Sequence, residues 1–497
     1  MRLGFNHSYA QELPGFHAPA TPAHAPAPKL LFWNLELSEQ LELPLRETPP
    51  IELAQIFSGN SLPDDANPIA QVYAGHQFGH FSPQLGDGRA LLLGEKRTLD
   101  GQLYDLAFKG SGRTAFSRSG DGKAAVGPML REVLIGEFLH AMGIPTTRAL
   151  AVVATGENIW REGPLPGAVL TRVASSHLRV GTFEFFALRG QQEKVKTLAL
   201  YAIKRHAPQL EGIENPFLAF LRLVAQRQAA LIAQWLCVGF VHGVMNTDNM
   251  ALSGESIDFG PCAFLEGYDP GAVFSSIDHG GRYAYGNQAS MARWNLARLC
   301  ETLLPLLSPD PELAVELANE VLEEFGTAHD EFLLQGMQAK LGLVPHKSTD
   351  SSDAELVNDW LLLLQTQAID WTSAFRFLGK ASQGDASHLR TLFKDIRPLE
   401  EWLNRWHSRC AQDDCDRPHQ EALDRRARRM QRANPVVIPR NHRVEEALTA
   451  ATLGDLTPFN TLLAALRNPF AIPHGDEHLT DPAPAEFSAG YRTFCGT

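Results

Sequence analysis

Near Gly181 the hydrophobic pattern of this chain changes character, and that change narrows the folds open to it. Across residues 71–170 short apolar runs, RALLLGE, YDLAFKG, RALAVVATG and PGAVLTRV, alternate with glycine clusters. Short runs bounded in this way read as strands, here of a mostly antiparallel sheet. One segment breaks the series: MLREVLIGEFLHAMG sets Leu130, Val133, Leu134 and Phe138 on one helical face and stops at Gly143. Beyond Gly181 the patterns are long and helical. FLAFLRLVAQRQAALIAQWLCVGF is the strongest, followed by MARWNLARLCETLLPLL, ELVNDWLLLLQTQAIDWTSAFRFL and EALDRRARRMQRA.

A sheet-rich lobe holding one helix, then a large helical lobe, is therefore expected, with additions at both ends. APATPAHAPAP, residues 18–28, has no period and reads as an extended connector. The expected division is an N-terminal extension and linker over 1–65, a sheet lobe over 66–180, a helical lobe over 181–400, and a C-terminal helical extension and tail over 401–497.

Charge and composition exclude several functions. A net charge of -13 argues against a nucleic-acid backbone or an anionic membrane as main partner. The opening MRLGFNHSYAQELPG lacks the apolar core of a signal peptide, and the longest leucine-rich run, residues 360–364, is far too short to span a bilayer. A cytoplasmic monomer is expected. Six cysteines in 497 residues are not a disulfide framework. Cys410 and Cys415, with His419 nearby, make only a partial metal set.

The chemistry concentrates in HGVMNTDNMALSGESIDFGP, residues 242–261. Kinase-like phosphotransferases carry His-Gly-Asp, four residues, Asn, and then a hairpin ending in Asp-Phe-Gly. Here Asn249 and Asp258 are present, and Val244, which cannot accept a proton, stands in place of the aspartate. ALSGESIDFG reads as two short strands about a Ser-Gly turn, folding Asp258 back towards Asn249. A carboxylate and an amide oxygen suit Mg²⁺. Asp248, beside Asn249, reads either as a displaced base or as a solvated turn residue.

Phosphate ligands are expected from the sheet lobe. Lys109 ends the strand YDLAFKG, and Glu132 follows 23 residues later on the helix, the order of a kinase lysine and its partner glutamate. Gly86, Gly88 and Arg89 lie at a tight turn, and GSGRTAFSRSGDGKAAVGP places Arg113, Arg118, Asp121, Gly122 and Lys123 in a glycine-rich loop. Arg172 and Arg179, at the junction of the lobes, fit either phosphate oxygens or an inter-lobe ion pair.

These residues sit in long blocks, QVYAGHQFGHFSPQLGDGRALLLGE, DLAFKGSGRTAFSRSGDGKAAVGPMLREVLIGE, HGVMNTDNM, SIDFGPCAF and NPVVIPRNHRVEEAL, in which the chain resembles the selenoprotein O family. The resemblance implies an α+β, two-lobed, protein-kinase-like fold with N- and C-terminal extensions. It also implies transfer of AMP from ATP, bound inverted relative to kinases, to Ser, Thr or Tyr hydroxyls of proteins. By that resemblance Asp248 is the proton acceptor, and Asn249 and Asp258 hold Mg²⁺ or Mn²⁺. Gly86, Gly88, Arg89, Lys109, Asp121, Gly122, Arg172, Arg179 and Asp258 contact the nucleotide, and Glu132 pairs with Lys109. Some members pair a cysteine near the C-terminus with one in the loop after Asp-Phe-Gly. This chain keeps Cys495 but has Phe274 at the loop position, which leaves Cys262 as the nearest substitute. A γ-phosphate kinase and a non-catalytic nucleotide-binding scaffold are the competing readings.

Overall fold

The computed structural model describes residues 1–345, 351–414 and 418–494. Its main element is a nine-stranded sheet. The order is His17–Pro19, Ile69–Gln71, Ala90–Arg97, Leu103–Lys109, Pro164–Ala174, Arg148–Trp160 and Lys29–Trp33. Phe5–Asn6 pairs with Ala90–Arg97, and Ala124–Ala125 with Pro164–Ala174. All pairings are antiparallel, and the four expected strands form the centre. Lys109 lies opposite Ala90 on one side and Leu170 on the other, so the backbone that carries it is held from both edges.

Both faces of the sheet are covered, which is why Leu91, Leu92 and Leu93 run on without polar alternation. On one face Leu37, Leu41, Leu53, Ile56 and Phe57 pack against Leu91, Leu93, Leu106, Phe108 and Val153. The first 65 residues thus add strands and one layer of core to the sheet. Residues 18–28 run along the lobe, with Ala23 N–H donating to Ser111 O at 2.7 Å and Ala27 N–H to Thr155 O at 3.0 Å.

The other face carries the Val126–Ala141 helix, with Leu130, Val133, Leu134 and Phe138 fully buried. Helices Asn441–Thr452 and Thr457–Leu466 return from the C-terminal part to cover that helix. Two ion pairs fasten them: Arg131 with Glu445, and Arg467 Nη2 with Glu137 at 2.7 Å. The helix bearing Glu132 is therefore clamped between the sheet and the C-terminal helices.

The helical lobe begins its core at Pro216–Cys237, where Asn215 accepts from Leu218 N–H at 3.1 Å and Pro216 opens the first turn. The reading of ELVNDWLLLLQTQAIDWTSAFRFL, residues 355–378, needs correction. One helix was expected, and the chain forms two, Ser351–Thr366 and Trp371–Ala381. Asp370 caps the second, accepting from Ser373 N–H at 2.8 Å, and its carboxylate binds Arg440 at 2.7 and 2.8 Å. A second correction concerns ALSGESIDFG. Its arms do not pair with each other; Ala251 bridges to Arg179 and Ser256 to Thr146. No helix among the described residues is long and apolar enough to cross a membrane.

Candidate active site

Asp258 is the electrostatic hub. Its backbone is in the left-handed region, φ 66°, and Phe259 N–H donates to Glu132 Oε1 at 3.2 Å. Lys109 Nζ lies 2.5 Å from Asp258 Oδ1 and 2.7 Å from Glu132 Oε1. Arg172 Nη1 reaches the same Asp258 oxygen at 2.7 Å, and Arg179 stands 3.8 Å from the other. Burial alone would raise this carboxyl; Lys109, Arg172 and Arg179 instead hold it well below the usual carboxylate range. The pairing of Lys109 with Glu132 is as the sequence pattern suggests.

Asp248 is the opposite case. It is 7% exposed, and burial pushes its carboxyl up to about 6, with Arg179 and the Gln77 hydrogen bond opposing the shift. Gln77 Nε2 donates to Oδ2 at 3.1 Å, while the buried Oδ1 has no partner. The solvated-turn reading of Asp248 does not hold. Arg179 donates to the Asp248 carbonyl at 2.8 Å and lies over the Tyr73 ring at 4.5 Å. Asn249 donates its side-chain amide to Val244 O at 3.0 Å.

Two adjoining cavities gather these groups. The inner, about 180 Å³, is lined by Lys109, Glu132, Arg172, Arg179, Val244, Asn249 and Asp258 among others. The outer, about 700 Å³, is lined by Gly86, Phe116, Arg118, Asp121, Gly122, Lys123 and Arg161 among others. Tyr73, Gln77, Gly88, Arg89 and Asp248 line both. Every residue singled out for the site except Arg113 borders one of the two; Arg113 instead donates to Arg118 O at 2.9 Å. Gly122 has φ 70°, and a Cβ there would come within 2.1 Å of Gly112 O, so the loop requires glycine. Asp121 is held by Arg161 at 2.8 and 3.1 Å, and those hydrogen bonds lower its carboxyl.

Sequence reasoning missed Tyr73, Gln77, Asn246 and Arg161. The Gly75–Gln77 and His80–Ser82 hairpin covers the loop that carries Asp248 and Asn249, with His76 N–H donating to Thr247 Oγ1 at 2.7 Å and Phe78 N–H to Asn246 Oδ1 at 3.1 Å. The available signal was AGHQFGH, a glycine-bounded turn rich in polar side chains.

No cluster of three His, Cys, Asp or Glu among the described residues could hold a metal alone. Asn249 and Asp258 border the same cavity and offer hard oxygen donors, which fits Mg²⁺ arriving with phosphates and water to complete its shell. Cys262 is buried and free, and burial pushes its thiol up to about 12. Cys415 and Cys495 lie outside the described residues. Thr493 N–H donates to Phe274 O at 2.8 Å, so the tail just before Cys495 passes along the loop that carries Phe274.

Residues 1–467 match the family model described as Protein adenylyltransferase SelO. A protein nucleotidyltransferase YdiU of Chromobacterium violaceum is 55% identical over 487 residues, covering 98% of this chain and 100% of its own. A protein of the same name from Cereibacter sphaeroides is 55% identical over 501 residues, covering all of both chains. One from Agrobacterium fabrum is 49% identical over 496 residues, again covering all of both. With a match of this length, the chain belongs to the SelO family of protein adenylyltransferases, nucleotidyltransferases on a two-lobed, kinase-like fold.

Proposed function

We propose that this protein transfers AMP from ATP to Ser, Thr or Tyr hydroxyls of other proteins and releases pyrophosphate. The observation that carries this reading is Asp248, a buried carboxylate with one unpartnered oxygen, four residues beyond Val244 and bordering the cavity of Lys109, Arg172, Arg179 and Asp258. The acceptor hydroxyl oxygen attacks the α-phosphorus as its proton passes to Asp248. The bond from that phosphorus to the β-phosphate oxygen breaks, and its electron pair leaves with pyrophosphate. Attack at this phosphorus explains why the base sits at 248 rather than 244: ATP is inverted, and the deep cations serve the leaving group.

Lys109, Arg172 and Arg179 neutralise the phosphates, and Glu132 orients Lys109. Fixed cations of this kind supply much of the catalysis in phosphate transfer. Gly86, Gly88, Arg89, Asp121 and Gly122 border the outer cavity, where the rest of the nucleotide is accommodated. Asn249 and Asp258 would hold Mg²⁺ or Mn²⁺, which when bound supplies further charge neutralisation. We place the protein in the cytoplasm as a monomer, acting on proteins and not on nucleic acid.

Labelling from α- and γ-labelled ATP tests the reading. The wild type is expected to transfer only the α label. Asp248→Ala should lose about 10²–10⁴-fold, the usual cost of a missing general base. Val244→Asp should gain no kinase activity, because position 244 meets the wrong end of ATP. Robust γ-label transfer by the wild type or by Val244→Asp overturns the proposal in favour of a kinase, and no transfer of either label leaves a scaffold.

A further inference from the structure

Asn246 stands two residues before Asp248 on the same loop and is 3% exposed. Its side-chain oxygen accepts twice, from Tyr283 O–H at 2.7 Å and from Phe78 N–H at 3.1 Å. A backbone N–H can only donate, so the atom facing Phe78 is the oxygen and the amide NH₂ points away from both partners. That NH₂ makes no hydrogen bond among the described residues. It is not sealed off as Asp248 Oδ1 is, and Asn246 borders the inner cavity. A buried amide held by its oxygen, with its donor hydrogens spare beside a cavity, calls for a ligand oxygen.

Successive residues of one hairpin set both polar side chains of the loop. Gln77 Nε2 donates to Asp248 Oδ2 at 3.1 Å, and Phe78 N–H holds Asn246. Tyr283 closes the arrangement from the segment after Asp-Phe-Gly: its ring lies 5.0 Å from that of Phe78, and its N–H donates to Asp278 at 2.8 Å. The cations deeper in the cavity are committed, Lys109 to Glu132 and Asp258, Arg172 to Asp258, and Arg179 to the Asp248 carbonyl. Asn246 is by contrast a fixed neutral donor with nothing yet to bind.

We propose that Asn246 is a further catalytic residue, whose amide N–H donates to a non-bridging oxygen of the α-phosphate under attack. The inference rests on the AMP transfer proposed above. A donor to the attacking hydroxyl oxygen would tie up the lone pair that forms the new bond. A donor to a non-bridging oxygen leaves that pair free and stabilises charge on the phosphate as the bond to the hydroxyl oxygen forms and the bond to pyrophosphate breaks. The amide gives up no proton; the hydroxyl proton passes to Asp248.

Initial rates of transfer to the proteins of one bacterial lysate, at saturating nucleotide, compare the full-length wild type with Asn246→Asp and Asn246→Ala. The nucleotides are α-labelled ATP and its two α-thio diastereomers, in each of which sulfur, a weak hydrogen-bond acceptor, replaces one non-bridging oxygen. Asn246→Asp keeps an acceptor for Phe78 and Tyr283, so it should melt as the wild type does. Its transfer from ATP should fall by at least about 10²-fold, the usual loss of one oxyanion donor. Asn246→Ala should lose the slowing caused by sulfur at one position and keep it at the other. A structural role alone, acting through a displaced Asp248, would slow all three nucleotides alike. Thio ratios equal to the wild type's at both positions, or Asn246→Asp within tenfold of wild-type turnover, overturn the proposal. Labelling of no lysate protein by the wild type overturns the AMP-transfer reading itself, and this contact with it.

Discussion

Gln77 donates its side-chain amide to Oδ2 of Asp248 at 3.1 Å, and Oδ1 of the same carboxylate is buried without a partner. One oxygen is thereby oriented, and the other, packed against Gly75, is left without a hydrogen bond. The orientation comes from a hairpin far away in sequence, whose backbone is fastened to Thr247 and Asn246 on the same loop.

Gly75, at the start of that hairpin, tests the arrangement. A Cβ there would lie 2.6 Å from Asp248 Oδ1 and 3.0 Å from its Cβ and Cγ, so the short aspartate side chain must shift. Displacing a reacting group by about 1 Å can cost about 10²-fold. Gly75→Ala should therefore lose AMP transfer by about that factor while costing about 1–3 kcal/mol of stability from overpacking. Rate measurements beside thermal melts decide; wild-type turnover would remove the hairpin from the mechanism.

Lys109 separates a structural from a catalytic role. It and Glu132 are 5% and 4% exposed, and Lys109 also meets Asp258. Removing one partner of a buried pair costs about 3–5 kcal/mol, but Arg172 and Phe259 N–H remain for the two carboxylates, so about 2 kcal/mol is expected for Lys109→Met. Turnover at saturating ATP should fall at least about 10²-fold through lost charge stabilisation. Adding Glu132→Gln should recover stability in denaturant titrations and leave activity low. Recovery of activity in the double variant would mean that Lys109 serves packing alone.

What was legible in the sequence was local. Strand runs bounded by glycine, a helix stripe at Leu130, Val133, Leu134 and Phe138, and the spacing of Asn249 and Asp258 all repeat patterns set by neighbouring residues. What was not legible depended on distant partners. Gln77 acquires its role from Asp248, 171 residues away, and the helix break at Asp370 is fixed by Arg440, 70 residues away. The Pro311–Leu341 helix escaped for another reason. Its buried stripe includes Ala314, Ala318 and His329 between glutamates, too weak a contrast to stand out.

Glu184 predicts a pH dependence of stability. His76 Nδ1 lies 2.5 Å from its Oε1, and burial pushes Glu184 up to about 7. Thr247 and Arg298 oppose that shift and Glu301 reinforces it, while His76 is lowered, first by burial and then by Arg298. Burial thus disfavours the charged form of both partners. A raised carboxyl means that the folded state binds more protons, so stability is full below the unfolded value and declines as pH rises through about 7. His76, lowered, contributes the reverse below its ordinary value. Glu184→Gln should flatten the decline between roughly pH 4.5 and 7, by on the order of 2 kcal/mol. Melts across that range check it; a slope equal to the wild type's would show that Glu184 titrates normally.

Arg179 carries the last prediction because four interactions meet on one guanidinium. Its Nη1 donates to the Asp248 carbonyl at 2.8 Å and stands 3.8 Å from Asp258 Oδ2, its Nε donates to His177 O at 3.2 Å, and its plane covers Tyr73 at 4.5 Å. Arg179→Lys keeps the charge and loses the fork and the stacked face. If charge alone mattered, the lysine variant would transfer AMP normally. If the fork sets the loop, Asp248 loses its backbone anchor while ATP is still attracted. We expect the second: turnover down by about 10²-fold, the cost of a misplaced reacting group, with the KM for ATP changed only a few-fold. Kinetics at varied ATP, with Arg179→Ala alongside, separate the two. A lysine variant with near-normal turnover would reduce Arg179 to a counter-ion.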